Sequence, residues 1–236
     1  MNCTILGNRI PYEYFITTGK GESNAGSEGL PYETGSYDAA LNDAGIQNAN
    51  IIEYTSVIPT EAKEISIKEG LSRIKWGEVL ETIKAQKNGS RNSNISAAVM
   101  VTTVHDSNGK FYGGFACEYS GSGTRKEAED SLLFSISDMI LRRGYGKITE
   151  NPKLYKDLKT DKNFTIHAGK QFVYDSLHVT KEHGTVFALI CFVSHKYPIL
   201  TSSMEEPILK TITNHSYKNK KQEKTKKTKK TRKNNK

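Results

Sequence analysis

Residues 95–119 read ISAAVMVTTVHDSNGKFYGGFACEY, and this stretch decides the fold. Two runs rich in β-branched, aromatic and small apolar residues, 95–105 and 110–119, flank a loop with Asn-Gly at its tip. An Asn-Gly loop between two such runs is a strong signal for a β-hairpin, so we expect two paired antiparallel strands. Residues 80–87, just upstream, fit the periods of a strand and of a helix equally and stay unassigned.

A helix is predicted immediately after the hairpin. Thr124 and Glu127 form a capping box, and apolar residues recur at helical spacing until Gly144 ends the run. Two further strands are expected at 172–178 and 185–194, the second apolar throughout and therefore buried on both faces. The order strand, strand, helix, strand, strand favours an α/β or α+β fold with sheets covered by helices.

The N-terminal third gives weaker signals. Residues 19–36 are rich in glycine, serine and acids, which is typical of a loop. A short helix is expected to follow, capped by Ser36 and ended by Gly45. Residues 49–58 are rich in β-branched side chains and predict one extended strand that Pro59 ends.

The net charge of +8 is concentrated at the C-terminus. Eleven of the 34 basic residues and one of the 26 acidic residues lie in 218–236, which leaves 23 basic and 25 acidic residues in 1–217. We expect one folded domain over 1–209 and a disordered Lys-rich tail over 210–236, because the tail has too little apolar surface to offset the entropy of ordering. Nucleic acid or an anionic surface could bind through this tail alone, and a merely solubilising extension is an equal alternative.

Composition and motifs exclude several classes of protein. The longest apolar run, 186–193, is far shorter than the ~20 residues of a membrane span, and residues 1–15 do not resemble an export signal. The three cysteines are widely separated, with no CxxC pair and no histidine at zinc-ligand spacing. We therefore expect a soluble cytoplasmic protein with no metal site and no membrane span.

A series of short sequence motifs, called words below, carries the functional signal. Ser56, between a predicted strand and Val-Ile-Pro, is by itself ordinarily a turn residue. The words, in order, are GES at 21–23, YDAAL at 37–41, AGIQNANII at 44–52, YTSVIPTE at 54–61, GEVLETI at 77–83, GGFACEY at 113–119 and KEAE at 126–129. Together they resemble the pyruvoyl-dependent arginine decarboxylases over about residues 14–200, and the chlamydial-type branch most of all.

The resemblance implies that the chain cuts itself between Thr55 and Ser56. The Ser56 hydroxyl attacks the Thr55 carbonyl to give an ester, elimination leaves a dehydroalanine, and hydrolysis with loss of ammonia yields a pyruvoyl group. The products are a β chain, 1–55, and an α chain that begins at residue 56 with its folded part over 56–209. The pyruvoyl cofactor then forms a Schiff base with L-arginine, and the enzyme, a carboxy-lyase, releases agmatine and CO2.

The resemblance also assigns site residues. Glu118 is the proton donor; strand alternation puts it on the face of Ala116, where burial would raise its pKa, and an exposed strand glutamate is the alternative. Asn50 hydrogen-bonds the pyruvoyl carbonyl or the oxyanion, unless it is simply a strand-edge asparagine. Asp38 pairs with the substrate guanidinium, unless it only favours a helix dipole. The remaining residues assigned to the site line its pocket or approach it from a loop: Leu41, Gln47, Thr55 and Val57, then Glu22 and Ser23.

The family further implies a four-layer α/β/β/α sandwich and a homotrimer, or a dimer of trimers, with sites between subunits. The family resemblance also implies a role in polyamine supply or in consuming protons in acid. Two alternatives remain open. One is a pyruvoyl decarboxylase for another amino acid, such as histidine; the other is an unprocessed homologue that binds nucleic acid through its basic tail.

Overall fold

The computed structural model describes residues 6–25, 32–153 and 156–199, with the backbone alone at 32, 33 and 170. The strands are β1 Ile10–Ser23, β2 Asn50–Glu53, β3 Val57–Ile58, β4 Lys63–Glu64, β5 Val79–Ser90, β6 Asn94–His105, β7 Phe111–Gly121, β8 Lys156–Lys159, β9 Thr165–His178 and β10 His183–Lys196. The helices are α1 Tyr37–Asp43, which follows a π-helical turn at Tyr32–Ser36, α2 Ile67–Arg73 and α3 Arg125–Arg142.

Two five-stranded sheets organise the main unit, Pro11–His195. The first sheet has the order β2-β5-β10-β1-β4, and the second has the order β3-β7-β6-β9-β8. A second, smaller unit contains the described residues before Pro11 and after His195, among which Leu6 and Ile199 form an isolated bridge and the Gly7 amide donates to the Pro198 carbonyl at 2.6 Å.

Three apolar cores show how the layers of the main unit stack. One lies between the sheets and includes Ile83, Val99 and Ile190. The second packs α3 against the outer face of the second sheet, and the third packs α1 and α2 against the outer face of the first. The expected four-layer α/β/β/α sandwich is therefore confirmed.

The elements with strong local signals form as expected. β6 and β7 pair antiparallel, and Gly109 in their loop has φ +79°. Thr124 and Glu127 make both hydrogen bonds of the capping box at the start of α3, and Gly144 has φ +83° just after its end. β10 is buried from Gly184 to Phe192, which agrees with a strand covered on both faces. The unassigned segment at 80–87 lies within β5.

The loop expected at 19–36 is wrong in its first part, because β1 continues through Ser23. Its glycines allow close packing rather than a turn. A Cβ at Gly19 would lie 2.2 Å from the Ala40 carbonyl oxygen, and one at Gly21 would lie 2.5 Å from the Ala40 amide nitrogen. Glycine is therefore required where α1 lies directly on the strand.

The single strand expected at 49–58 is also wrong. The chain forms β2 at the edge of the first sheet and β3 at the edge of the second, with a crossing between them at 54–56. We call these three residues the crossover.

Ser36 does precede α1, but its hydroxyl contacts the Thr185 hydroxyl at 2.8 Å and caps no helix amide. The Lys-rich tail lies outside the described residues.

Among the described segments, no helix combines the length and the apolar character that a membrane span requires.

The contact between β1 and α1 gives a stability prediction. Gly19→Ala should lower the free energy of unfolding by about 1–3 kcal/mol, because the added methyl group forces α1 away from the strand. Urea denaturation measures this. Lys20→Ala is the control: Lys20 is exposed and makes a partly exposed ion pair with Asp175, so its loss should cost at most about 1 kcal/mol. Equal midpoints for Gly19→Ala and wild type would contradict the close packing.

Candidate active site

The crossover is held by a backbone hydrogen bond on each side. The Tyr54 amide donates to the Thr82 carbonyl of the first sheet at 2.7 Å, and the Ala116 amide donates to the Ser56 carbonyl from the second sheet at 2.7 Å. Between these anchors, Thr55 makes no hydrogen bond with any described residue. The Thr55 carbonyl is therefore open to a reacting group.

The Ser56 side chain is half-buried, and its hydroxyl has no hydrogen-bond partner in the described part of the chain. β3 pairs with β7 so that Val57 lies opposite Phe115 and Ile58 opposite Gly114. Continuing this register places Ser56 opposite Ala116, and residues opposite each other present their side chains on one face. Since Ala116 belongs to the core between the sheets, the Ser56 hydroxyl is on the side of that core.

Glu118 is two residues beyond Ala116 on β7 and therefore lies on the same face. Glu118 is exposed as a residue. Burial of its carboxyl group nevertheless raises the pKa of Glu118, against a smaller opposing effect of a hydrogen bond with its own backbone. The site thus places a hydroxyl and a carboxyl group with a raised pKa on one face.

Asp38 and Leu41 lie on α1, and Gln47 lies in the segment after it. Asp38 is exposed in the first turn and makes no ion pair with a described residue. Leu41 is buried under α1 with Ala44, and Gln47 is exposed. Leu41 therefore contributes to the core as well as to any pocket.

Asn50 begins β2, and its side-chain amide donates to the Gly77 carbonyl at 2.9 Å. No hydrogen bond between described residues joins Asp38 or Asn50 to Ser56. Val57 is exposed and lines a cavity of about 360 Å³ with Tyr112 and Arg143. Within the described part of one chain, Ser56 and Glu118 thus lie on the inner face of the second sheet and Val57 on its outer face, and no hydrogen bond joins them to Asp38 or Asn50.

Glu22 and Ser23 lie in β1 rather than in the expected loop. The Glu22 carboxylate accepts hydrogen bonds from the amides of Thr180 and Lys181, and these bonds lower the pKa of Glu22 against the effect of burial. The Ser23 hydroxyl accepts a hydrogen bond from the Ala25 amide at 2.8 Å. Both side chains therefore fix loops in this chain.

One charged residue near the crossover was missed at the sequence level. Lys84 of β5 forms an ion pair with Glu53, the last residue of β2, at 2.7 Å. The available signal was the alternation of polar residues in the segment left unassigned, which puts Thr82, Lys84 and Gln86 on one face of a strand.

Comparison with known proteins finds similarity over most of the chain. The family model for pyruvoyl-dependent arginine decarboxylases matches residues 13–197. The pyruvoyl-dependent arginine decarboxylase AaxB of Chlamydia trachomatis serovar L2 is 38% identical over 193 residues, which cover 80% of this chain and 93% of that protein. The AaxB protein of Chlamydia caviae is 39% identical over 118 residues, 48% of this chain, and the match spans 60% of its length.

A more distant relative, the pyruvoyl-dependent arginine decarboxylase of Thermoplasma volcanium, is 29% identical over 142 residues, 60% of this chain and 72% of that protein. The family model covers more than half of the chain, including the crossover and the Glu118 strand. The chain therefore belongs to the pyruvoyl-dependent arginine decarboxylase family.

Proposed function

We propose that this protein is a self-processing arginine decarboxylase that converts L-arginine into agmatine and CO2. The observation that carries the proposal is the crossover, where the peptide bond between Thr55 and Ser56 lies between the anchored Tyr54 amide and the anchored Ser56 carbonyl and makes no hydrogen bond with any described residue. The Chlamydia and Thermoplasma relatives are named for this activity.

The proposed processing step uses the chain's own groups. The Ser56 hydroxyl oxygen attacks the Thr55 carbonyl carbon, the peptide C–N bond breaks, and an ester joins the two residues. Elimination then breaks the bond from Ser56 Cβ to the ester oxygen and leaves the Thr55 carboxylate on the chain 1–55. Water displaces the nitrogen of residue 56 as ammonia. The two anchors of the crossover support this step, since they restrict the approach of the hydroxyl to the carbonyl.

Glu118 lies on the same face of the second sheet as Ser56, which supports its serving a pyruvoyl group at residue 56. A pyruvoyl ketone supplies an electron sink for the electrons released when an α-carboxylate leaves as CO2. Glu118 would hold the proton that returns to Cα, because burial keeps its carboxyl group protonated to a higher pH than usual. The Asn50 amide would hydrogen-bond a carbonyl oxygen, and Asp38 would bind the guanidinium of arginine, a cation that a planar carboxylate matches.

Asp38, Gln47 and Asn50 would complete the site between subunits of a trimer or a dimer of trimers. The support is a set of exposed large apolar side chains in or next to β2, β3 and β5: Ile52, Val57, Trp76 and Val79. Apolar side chains that a subunit leaves exposed become buried where another subunit covers them. Leu41, Thr55 and Val57 would line the pocket.

We also propose a cytoplasmic location, where Cys117 and Cys191, both free and buried, stay reduced.

Ser56→Ala tests self-processing. The variant lacks the nucleophile, so it should stay one chain of 26.3 kDa. The wild type should give fragments of about 6 and 20 kDa, the larger one lighter by about 17 Da than a serine-terminated chain. Intact-mass spectrometry measures both, and Ser107→Ala, in the hairpin loop, is the matched control. A wild type that remains one chain would contradict the proposal and make nucleic-acid binding through the tail the better hypothesis.

Glu118→Gln tests the proton donor. With processing complete, kcat should fall about 10²- to 10⁴-fold, because glutamine cannot donate the proton. In the wild type, kcat should decline as the pH rises through the raised pKa of Glu118, since only the protonated carboxyl group acts. Steady-state rates of CO2 release across pH measure this, with Glu129→Gln on α3 as control. An unchanged pH profile in Glu118→Gln would rule out this role.

Asp38→Asn tests substrate recognition. Loss of a charge-assisted pair with the guanidinium should raise KM for arginine about 10- to 100-fold and leave kcat nearly unchanged. Asp43→Asn, on the same helix, is the control; Asp43 accepts a hydrogen bond from the Lys20 amide at 3.0 Å. A wild type that decarboxylates histidine faster than arginine would support the other-amino-acid alternative.

A further inference from the structure

A buried lysine lies beneath α1, on the outer face of the first sheet. The Lys84 side chain is only 7% exposed. Its ammonium nitrogen is 2.7 Å from Glu53 Oε1 and donates to Gln86 Oε1 at 2.8 Å and to the Tyr37 hydroxyl at 3.4 Å. Lysine is almost never buried to this degree without a partner, so its position has a specific cause.

The Lys84 ammonium is the fixed member of the ion pair with Glu53. The rings of Tyr37 and Phe187 lie 5.3 and 5.5 Å from it, as in cation–π contacts. Gln86 is itself held, because its amide donates to Asn88 Oδ1 at 3.1 Å. The Glu53 side chain, by contrast, is 59% exposed. Lys84 is therefore the more constrained partner, and its ammonium group restricts where the exposed Glu53 carboxylate can lie.

The same contacts continue to the start of α1. The Thr185 hydroxyl donates to Asn88 Oδ1 at 3.2 Å and contacts the Ser36 hydroxyl at 2.8 Å. Both Thr185 and Ser36 are fully buried. A series of polar contacts thus joins the end of β2, through Lys84, to the residue that precedes α1. These contacts restrict the position of the Lys84 ammonium group.

Glu53 is the last residue of β2, and the crossover begins with the next residue. We propose that Lys84 is a positioning residue for self-processing: through Glu53, it fixes the end of β2 and so the approach of the Thr55 carbonyl to the Ser56 hydroxyl. The inference rests on the proposed self-cleavage. Lys84 touches neither reacting group and acts only through Glu53.

The rate of self-cleavage tests the proposal. The full chain is made by cell-free synthesis, and conversion of one chain into two is followed over time for wild type, Lys84→Met, Glu53→Gln and the double variant. Each single variant should cleave about tenfold more slowly, equivalent to ~1.4 kcal/mol in the barrier. The double variant should be no slower than the slower single variant, because both changes remove the same contact. Lys87→Met, an exposed lysine of β5, should cleave like wild type.

Thermal unfolding of each variant separates positioning from a general loss of stability. Should Lys84→Met fail to fold, Glu53→Gln decides alone, because an exposed carboxylate can be replaced without disturbing a core. Wild-type rates in Glu53→Gln, or additive losses in the double variant, would overturn the role of Lys84. A wild type that never cleaves would instead refute the proposed function and the inference with it.

Discussion

The structure depends on a short crossing between two stacked sheets. Packed sheets lie about 10 Å apart, and the four steps from Glu53 to Val57 span at most about 14 Å when fully extended. A chain that leaves β2 and enters β3 within residues 54–56 must therefore be extended over most of its length. Thr55 lies where the chain has left one hydrogen-bond ladder and has not yet joined the other, which explains why it makes no hydrogen bond with a described residue. The open peptide is thus a consequence of how the sheets are connected.

Other parts of the fold support this crossing from both sides. On the first sheet, Gly19 and Gly21 let α1 lie against β1, and the buried Lys84 beneath α1 reaches Glu53. On the second sheet, β7 is held between β3 and β6, so the Ala116 amide is fixed where it binds the Ser56 carbonyl. Packing on the two outer faces therefore determines the position of a bond that lies between the sheets.

The sequence predicts the parts of this arrangement that depend on local signals. The hairpin, the capped α3 and the apolar β10 each carry their signal within a short window. The extension of β1 through Ser23 was missed, because the glycines that indicate a turn locally are required by a helix about 20 residues away. The division of 49–58 was missed for the same reason. Its residues all favour strand, and only the choice of sheet partner separates β2 from β3.

The candidate site shows the same division between local and long-range information. Strand alternation places Glu118 relative to Ala116, but the burial that raises the pKa of its carboxyl group arises only in the folded chain. The contact of Asn50 with Gly77 and the burial of Lys84 arise from segments that meet only after folding. Residue types and order can therefore suggest the chemistry, whereas the environment that tunes it belongs to the packed structure.

Alternation along the crossover separates the charged anchor from the reacting groups. Glu53 contacts Lys84 on the outer face of the first sheet, whereas Tyr54 packs its ring against Phe192 in the core between the sheets. Ser56 and Glu118 share that inner side. The causes that shift the pKa of Glu118 are burial and its own backbone, with no contribution from a cation. A nearby ammonium on the same face would favour the carboxylate and oppose the raised pKa. Because Lys84 lies on the opposite face, an ion pair can fix the end of β2 without lowering the pKa of Glu118.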